Sequence, residues 1–149
     1  PVSSLEQVRR RGNRDKAMRL EQLTCISMDL AFFQDQWMCL SREDALIVTE
    51  KDWTPCFERV YAADECYFAT VLAASGKPLP DAIVNRPFTW THWRGGAHPV
   101  NFPTVLPRIA AEISESGCYF ARKFPVGSDI GKWGLHRTDQ GQSLTNPTT

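Results

Sequence analysis

Asp64 and Glu65 stand side by side ahead of an apolar run, and Arg122 and Lys123 directly follow another. These two pairs are the residues whose types and placement could do chemistry. A carboxylate in the first turn of a helix feels the positive end of the helix dipole, which favours its ionised form. Asp64 is the better capping residue. Glu65 is then free to point into a cleft as a general base. Acidic residues in a first helical turn are also ordinary structural features, and spacing alone favours that reading. Cations at the end of a buried strand often face a ligand crevice. A diphosphate suits Arg122 and Lys123, because it takes compact positive charge and fork-like donors. The plainer alternative is a pair of surface charges flanking the strand. Arg86 and Arg94 are further candidates with weaker placement.

The other reactive residue types say less. His92 and His98 flank Gly95-Gly96 and could meet around a metal, but histidines beside aromatic residues more often hydrogen-bond within the fold. No Asp-x-Asp occurs in the chain, which argues against a metal–nucleotide site of that type. Cys66 adjoins Glu65 near a helix N-terminus, where a thiol can be a nucleophile. No histidine is obviously related to it in sequence, so a buried or paired cysteine is the better reading. Trp37, Trp53, Trp90 and Trp93 are core or cleft wall, and sugar-binding sites also use such rings.

Several elements must position these residues. Gln36-Trp37-Met38-Cys39-Leu40 is short, apolar and flanked by polar residues, which predicts a strand. Ser41, with Asp44 three residues on, predicts the cap of a short helix ending near Lys51. Asp64 is expected to cap a second helix carrying Tyr67, Phe68, Val71 and Leu72, which Gly76 and Pro78 end. Phe88 to Trp93 alternates aromatic and polar residues and predicts a strand, followed by a loop from Arg94 to Pro99. Thr104 is expected to cap a third helix, with Pro107 at its third position, running through Ile109 and Ile113 to Gly117. Cys118 to Ala121 reads as a second buried strand. The pattern is mixed α/β, with helices of about ten residues between short strands.

Composition bounds the rest. The 149 residues, at 16.9 kDa, make one domain or part of one. Hydrophobic residues at 42% and charged residues at 23% exclude disorder throughout. No apolar run approaches the roughly 20 residues of a membrane helix. The 17 basic and 17 acidic residues cancel, which argues against a nucleic-acid binder relying on global positive charge. Five cysteines without a C-x-x-C pair indicate neither a disulfide scaffold nor a structural zinc site. Residues 1–19 carry Arg9, Arg10, Arg11, Arg14, Lys16 and Arg19 against Glu6 and Asp15. That opening reads as a solvated connecting segment; the alternative is a patch for an anionic partner.

Four blocks in order resemble the Core-2/I-branching glycosyltransferase family, which also includes peptide O-xylosyltransferases. Gln36-Trp37-Met38-Cys39-Leu40-Ser41-Arg42 is similar to that family's strand-to-helix turn. Tyr61 to Leu72, with Asp64 and Glu65, resembles its acidic helix start. Phe88 to Phe102, with Trp93 and His98-Pro99, resembles a segment of its plant members. Tyr119-Phe120-Ala121-Arg122-Lys123-Phe124 resembles its most specific signature. His92 departs from the pattern, since plant members have Asp before the tryptophan. A carboxylate that could orient an acceptor sugar is therefore missing.

The resemblance implies the C-terminal part of a GT-A-type α/β fold, a mixed sheet with flanking helices. It implies inverting, metal-independent transfer of N-acetylglucosamine or xylose from a UDP-sugar to an acceptor hydroxyl on a glycan or glycoprotein. No cofactor and no metal are expected. Glu65 matches the family's catalytic base. Lys123, with Arg122 beside it, matches the cation facing the donor diphosphate, and Arg94 is the nearest match to an arginine that joins it. Trp93, Asp64 and His98 would line the substrate pocket. The family's nucleotide-binding half precedes these blocks, so this chain is expected to be a fragment. Residues 1–20 would be a basic connection, 21–126 the C-terminal part of the catalytic domain, and 127–149 a flexible tail. By resemblance the protein resides in the Golgi lumen as a type II membrane protein, its anchor lying outside this chain. The alternative is a non-enzymatic carbohydrate- or partner-binding module derived from this fold.

Overall fold

Ser4 opens the first helix with a reciprocal cap: its hydroxyl accepts from the Gln7 N–H, and the Gln7 side chain accepts from the Ser4 N–H. That cap starts α1, Leu5–Arg10, one residue after the short strand β1, Ser3–Ser4. Asn13 caps α2, Arg14–Leu20, by accepting from the Lys16 N–H at 3.1 Å. In this computed structural model, which describes residues 2–95 and 98–130, the basic opening is therefore folded. Leu5, Val8, Ala17 and Leu20 are buried while Arg9, Arg10, Arg11 and Arg14 face outward. The solvated reading missed this because four apolar residues spaced along two short helices are diluted by the charges between them.

The chain divides into two compact units, Pro1–Thr89 and Trp90–Thr149. In the first, β1 pairs antiparallel with β2, Phe32–Phe33, in the register Ser3 to Phe33 and Ser4 to Phe32. The strand expected at 36–40 is not there. Both phenylalanines of β2 are buried, and β1 supplies their partner strand. Gln36 and Trp37 instead lie in a bend, with Trp37 exposed. The helix expected after Ser41 forms as α3, Arg42–Thr49, and the Ser41 hydroxyl accepts from the Asp44 N–H at 3.0 Å. The next helix, α4, spans Tyr67–Ala74. Gly76, at φ +95°, ends it as expected, and the Lys77 N–H returns to the Leu72 carbonyl.

Leu20 and Leu72, with Leu5, Val8, Phe33 and Val71, form the heart of the first unit's core. Burying each such leucine is worth roughly 1.5–3 kcal/mol. Two polar side chains are also fully buried here, and both join β2 to α4. Thr70 Oγ1 accepts from the Phe32 N–H at 3.0 Å and donates to the Phe32 carbonyl at 3.1 Å. Gln34 follows two residues later and serves the same interface.

The second unit holds β3, Thr89–Thr91, which starts at the boundary, and its partner β4, Phe120–Arg122. Helix α5, Pro107–Glu115, begins with Leu106 as cap and Pro107 at its first position, where the missing N–H costs nothing. Thr104 is not the cap; it bridges to Asp129, and the Val105 N–H donates to the Asp129 carbonyl at 2.8 Å. Ile109 and Ile113, four residues apart, bury one face of α5 with Phe102 and Val105. The expected burial of residues 118–121 is also corrected. Phe120 is exposed while Ala121 packs on the α5 cluster, because neighbouring strand residues face opposite ways, and Tyr119, in the bend before β4, is exposed as well. Residues 131–149, most of the expected tail with Trp133, lie outside the described residues.

The class is thus mixed α/β, with helices and two separate two-stranded sheets among the described residues rather than one mixed sheet. No helix among them is long and apolar enough to cross a membrane.

Candidate functional site

Glu65 sits on a single turn of 3₁₀ helix, Ala63–Glu65, immediately before α4. The turn is entered through Ala62, which adopts a left-handed backbone conformation at φ +52° and ψ +53°. A residue with a Cβ pays roughly 1–2 kcal/mol for that conformation. Such strain persists where surrounding structure holds it, and it concentrates at functional sites. Here the Glu65 N–H donates to the Ala62 carbonyl at 3.0 Å, closing the turn.

Gln34 holds the turn from behind. Its backbone N–H donates to the Glu65 carbonyl at 2.8 Å. Its side-chain Nε2 donates to the Asp64 carbonyl at 3.1 Å, and Oε1 accepts from the Ala69 N–H at 2.6 Å. Ala69 is the third residue of α4, so Gln34 caps this helix from far away in sequence. Asp64 was expected to do so. The residue preceding α4 is instead Cys66, which makes no side-chain cap. Asp64 turns outward, and its Oδ2 accepts from Gln36 Nε2 at 2.7 Å.

The Glu65 carboxylate meets the basic opening. Arg19 Nη1 donates to Glu65 Oε2 at 2.7 Å, with both side chains half-buried. Among the described residues, Oε1 receives no hydrogen bond. The Arg19 guanidinium lies 5.5 Å from the Phe33 ring and 5.8 Å from the Tyr61 ring. Lys16 Nζ stands 3.7 Å from the Phe33 ring centre. Burial lowers the Lys16 pKa, against the pull of Glu65 and Asp35. Cys66 is no nucleophile: it is buried, its thiol donates to the Ala63 carbonyl, and burial pushes its pKa up to about 12.

Arg86 stands 4.6 Å from the Phe88 ring centre in the first unit, and the remaining expected residues lie in the second. Trp93 is exposed, and its Nε1 donates to Thr91 Oγ1 at 3.1 Å. Arg94 Nε reaches His92 Nε2 at a long 3.5 Å, and His98 is exposed. His92 lies against Trp90 and Phe102 and 4.0 Å from Glu112. Arg122 ends β4; Lys123 follows it, and the Lys123 carbonyl accepts from the Phe102 N–H at 2.9 Å. Among the described residues, no group of three or more His, Cys, Asp or Glu could hold a metal ion.

The first unit also contains a cleft of about 400 Å³, lined in part by Trp37, Met38, Asp44, Lys77, Asn85 and Phe88. Of the candidates, Arg86 and Trp37 line it, whereas Glu65, Asp64, Arg94, Arg122 and Lys123 do not. Much of its polar lining is satisfied internally. Lys77 pairs with Asp44, and the Asn85 amide takes the Val2 N–H and donates to the Val2 carbonyl. The Glu65 turn, with its strained entry and external support, is the better candidate for chemistry.

Sequence reasoning missed Arg19, Gln34 and Gln36. Gln34 carried a faint signal, as a polar residue directly after a buried Phe-Phe pair. Arg19 carried none beyond its place in a charge run.

The family model described as Core-2/I-Branching enzyme matches residues 4–114. The chain belongs to the Core-2/I-branching enzyme family, which is a family of glycosyltransferases. The match begins inside the basic opening and includes Arg19, Gln34 and Glu65. It ends before Arg122 and Lys123, so the fourth resembling block stands outside the matched residues. No curated protein and no solved structure matches the chain significantly.

Proposed function

We propose that this chain is the C-terminal part of a GT-A-type glycosyltransferase that moves N-acetylglucosamine or xylose from a UDP-sugar to an acceptor hydroxyl, with inversion and without a metal. The observation that carries the proposal is the setting of Glu65 within a family match. Its turn is strained at Ala62, braced by Gln34, and its Oε2 is pinned by Arg19. In this reading Oε1 takes the proton of the acceptor hydroxyl. The acceptor oxygen attacks the anomeric carbon opposite the leaving group, and the bond to the diphosphate breaks. Negative charge then builds on UDP, and Lys123, Arg122 and Arg94 offset it. Trp93, Asp64 and His98 line the sugar pocket. The acceptor is a glycan or glycoprotein, and the setting is the Golgi lumen, with a membrane anchor outside this chain.

The test uses the native protein with labelled UDP-N-acetylglucosamine and UDP-xylose, offered glycan and serine-peptide acceptors in excess EDTA. The account expects transfer in EDTA, with an inverted anomer by NMR. Transfer abolished by EDTA, or a retained anomer, would contradict it. Lys123→Ala should weaken UDP binding about 10- to 100-fold, the worth of a lost charge-assisted contact. Unchanged UDP affinity would remove Lys123 from the diphosphate site. The exposed rings of Trp37 and Trp93 favour a second reading, a carbohydrate-binding module. Glycan binding that ignores UDP, without turnover, would support that one.

A further inference from the structure

Two of the five cysteines are brought together by the first unit. Cys56 lies in a 3₁₀ turn, Thr54–Phe57, and is buried; Cys25 follows α2 and is exposed. The Thr24 N–H donates to the Cys56 carbonyl at 3.3 Å, which sets the two backbone segments side by side. The two thiols lie close enough to perturb one another's ionisation, and Thr24 Oγ1 lies 3.5 Å from Cys25 Sγ. The other three cysteines are placed elsewhere. Cys66 is held on the Ala63 carbonyl, Cys39 lines the cleft, and Cys118 belongs to the second unit.

We infer that Cys25 and Cys56 are a disulfide site, joining the segment behind Arg19 to the segment ahead of the Glu65 turn. The chemistry assigns distinct roles to the two sulfurs. Hydrogen bonds from Cys56 and Thr24 lower the Cys25 pKa, and the exposed Cys25 is open to a dissolved oxidant. Burial and the neighbouring Cys25 push Cys56 up to about 11. Cys25 is therefore the attacking thiolate and Cys56 the resolving thiol. With glutathione disulfide as oxidant, the Cys25 thiolate attacks one sulfur and expels a glutathione thiolate. Cys56 gives its proton to solvent, attacks Cys25 Sγ in the mixed disulfide and expels the second glutathione. The protein loses two hydrogens, and one glutathione disulfide becomes two thiols.

The bond would close a loop of about 30 residues that contains β2, Gln34 and α3. One strand of that staple leads from Arg19 and the other leads to Glu65. Oxidation would thus restrain both flanks of the ion pair without touching either partner.

The test is differential alkylation of the chain after equilibration with glutathione disulfide. Digestion with trypsin and Asp-N separates Cys25 from Cys39, since Asp29 and Asp35 lie between them. The expected result is a linked peptide pair containing Cys25 and Cys56, lost on reduction. Reduction should also lower the melting temperature of the oxidised protein by roughly 10 °C, and should leave Cys25→Ser unmoved. Cys25 is exposed, so that variant keeps the core intact. Recovery of Cys25 and Cys56 both alkylated, or of Cys25 joined to Cys39, would overturn the assignment. So would an equal response to reduction in Cys25→Ser.

Discussion

Replacing Gln34 by Leu removes the brace of the Glu65 turn while keeping a side chain of similar size. The wild-type amide makes two hydrogen bonds in a fully buried position, to the Asp64 carbonyl and from the Ala69 N–H. Ala69 is itself fully buried, so its N–H cannot turn to water once Oε1 is gone. An unsatisfied buried donor costs about 1–3 kcal/mol. The Asp64 carbonyl belongs to a partly exposed residue, and its loss adds about 0.5–1 kcal/mol. The backbone bond from Gln34 to Glu65 survives. The sum is about 1.5–4 kcal/mol, a large share of the 5–15 kcal/mol that a domain typically holds. Denaturant unfolding should show that loss as a shift in midpoint with little change in slope. Activity should fall further than stability, because a base displaced by about 1 Å can lose 100-fold in rate. A loss below about 0.5 kcal/mol would refute the capping role of Gln34. A stable Gln34→Leu protein with native turnover would refute the brace.

Other substitutions probe the surroundings of the site. Arg19→Met should cost about 1 kcal/mol, since the pair with Glu65 is only half-buried and partly screened; Arg19→Lys should recover part of it in the same unfolding assay, and equal losses in both would deny the ion pair a role. Asp44 supplies a pH signature. Burial raises its pKa, but the Lys77 ammonium and the Ser41 hydroxyl and N–H outweigh burial and leave it below the ordinary carboxylate value. A depressed folded pKa contributes stability above the unfolded value and loses it as pH falls through the folded one. Wild type should therefore exceed Asp44→Asn in stability most at neutral pH, and the gap should close below pH about 4. A gap independent of pH would contradict that assignment.

Much of the architecture could be read from local signals. Ser41 and Gly76 acted as written, because a cap and a left-handed stop depend on residues within a turn of each other. The helix Tyr67–Ala74 was also legible from its apolar spacing, although the acidic pair ahead of it forms a 3₁₀ turn of its own. What escaped was long-range. The cap of α4 comes from Gln34, 35 positions away, so no local pattern announced it and Asp64 took the credit. Arg19 reaches Glu65 across 46 positions and was hidden in a charge run that looked solvated. The strand expected at 36–40 moved to Phe32–Phe33 because β1 lies there, and partner choice is invisible to a single segment's hydropathy. In the second unit, Thr104 had the chemistry of a cap, but Pro107 starts the helix and Thr104 bridges to Asp129 instead.

The central claim is that Glu65 removes the acceptor proton. Glu65→Gln keeps the shape of the side chain and an oxygen for Arg19 while removing the basic carboxylate. Its turnover and its UDP-sugar affinity should be measured together in the native protein, by product formation and by calorimetry. The account predicts a rate reduced by roughly 100- to 10,000-fold with UDP-sugar affinity nearly unchanged. Turnover equal to wild type would contradict it outright.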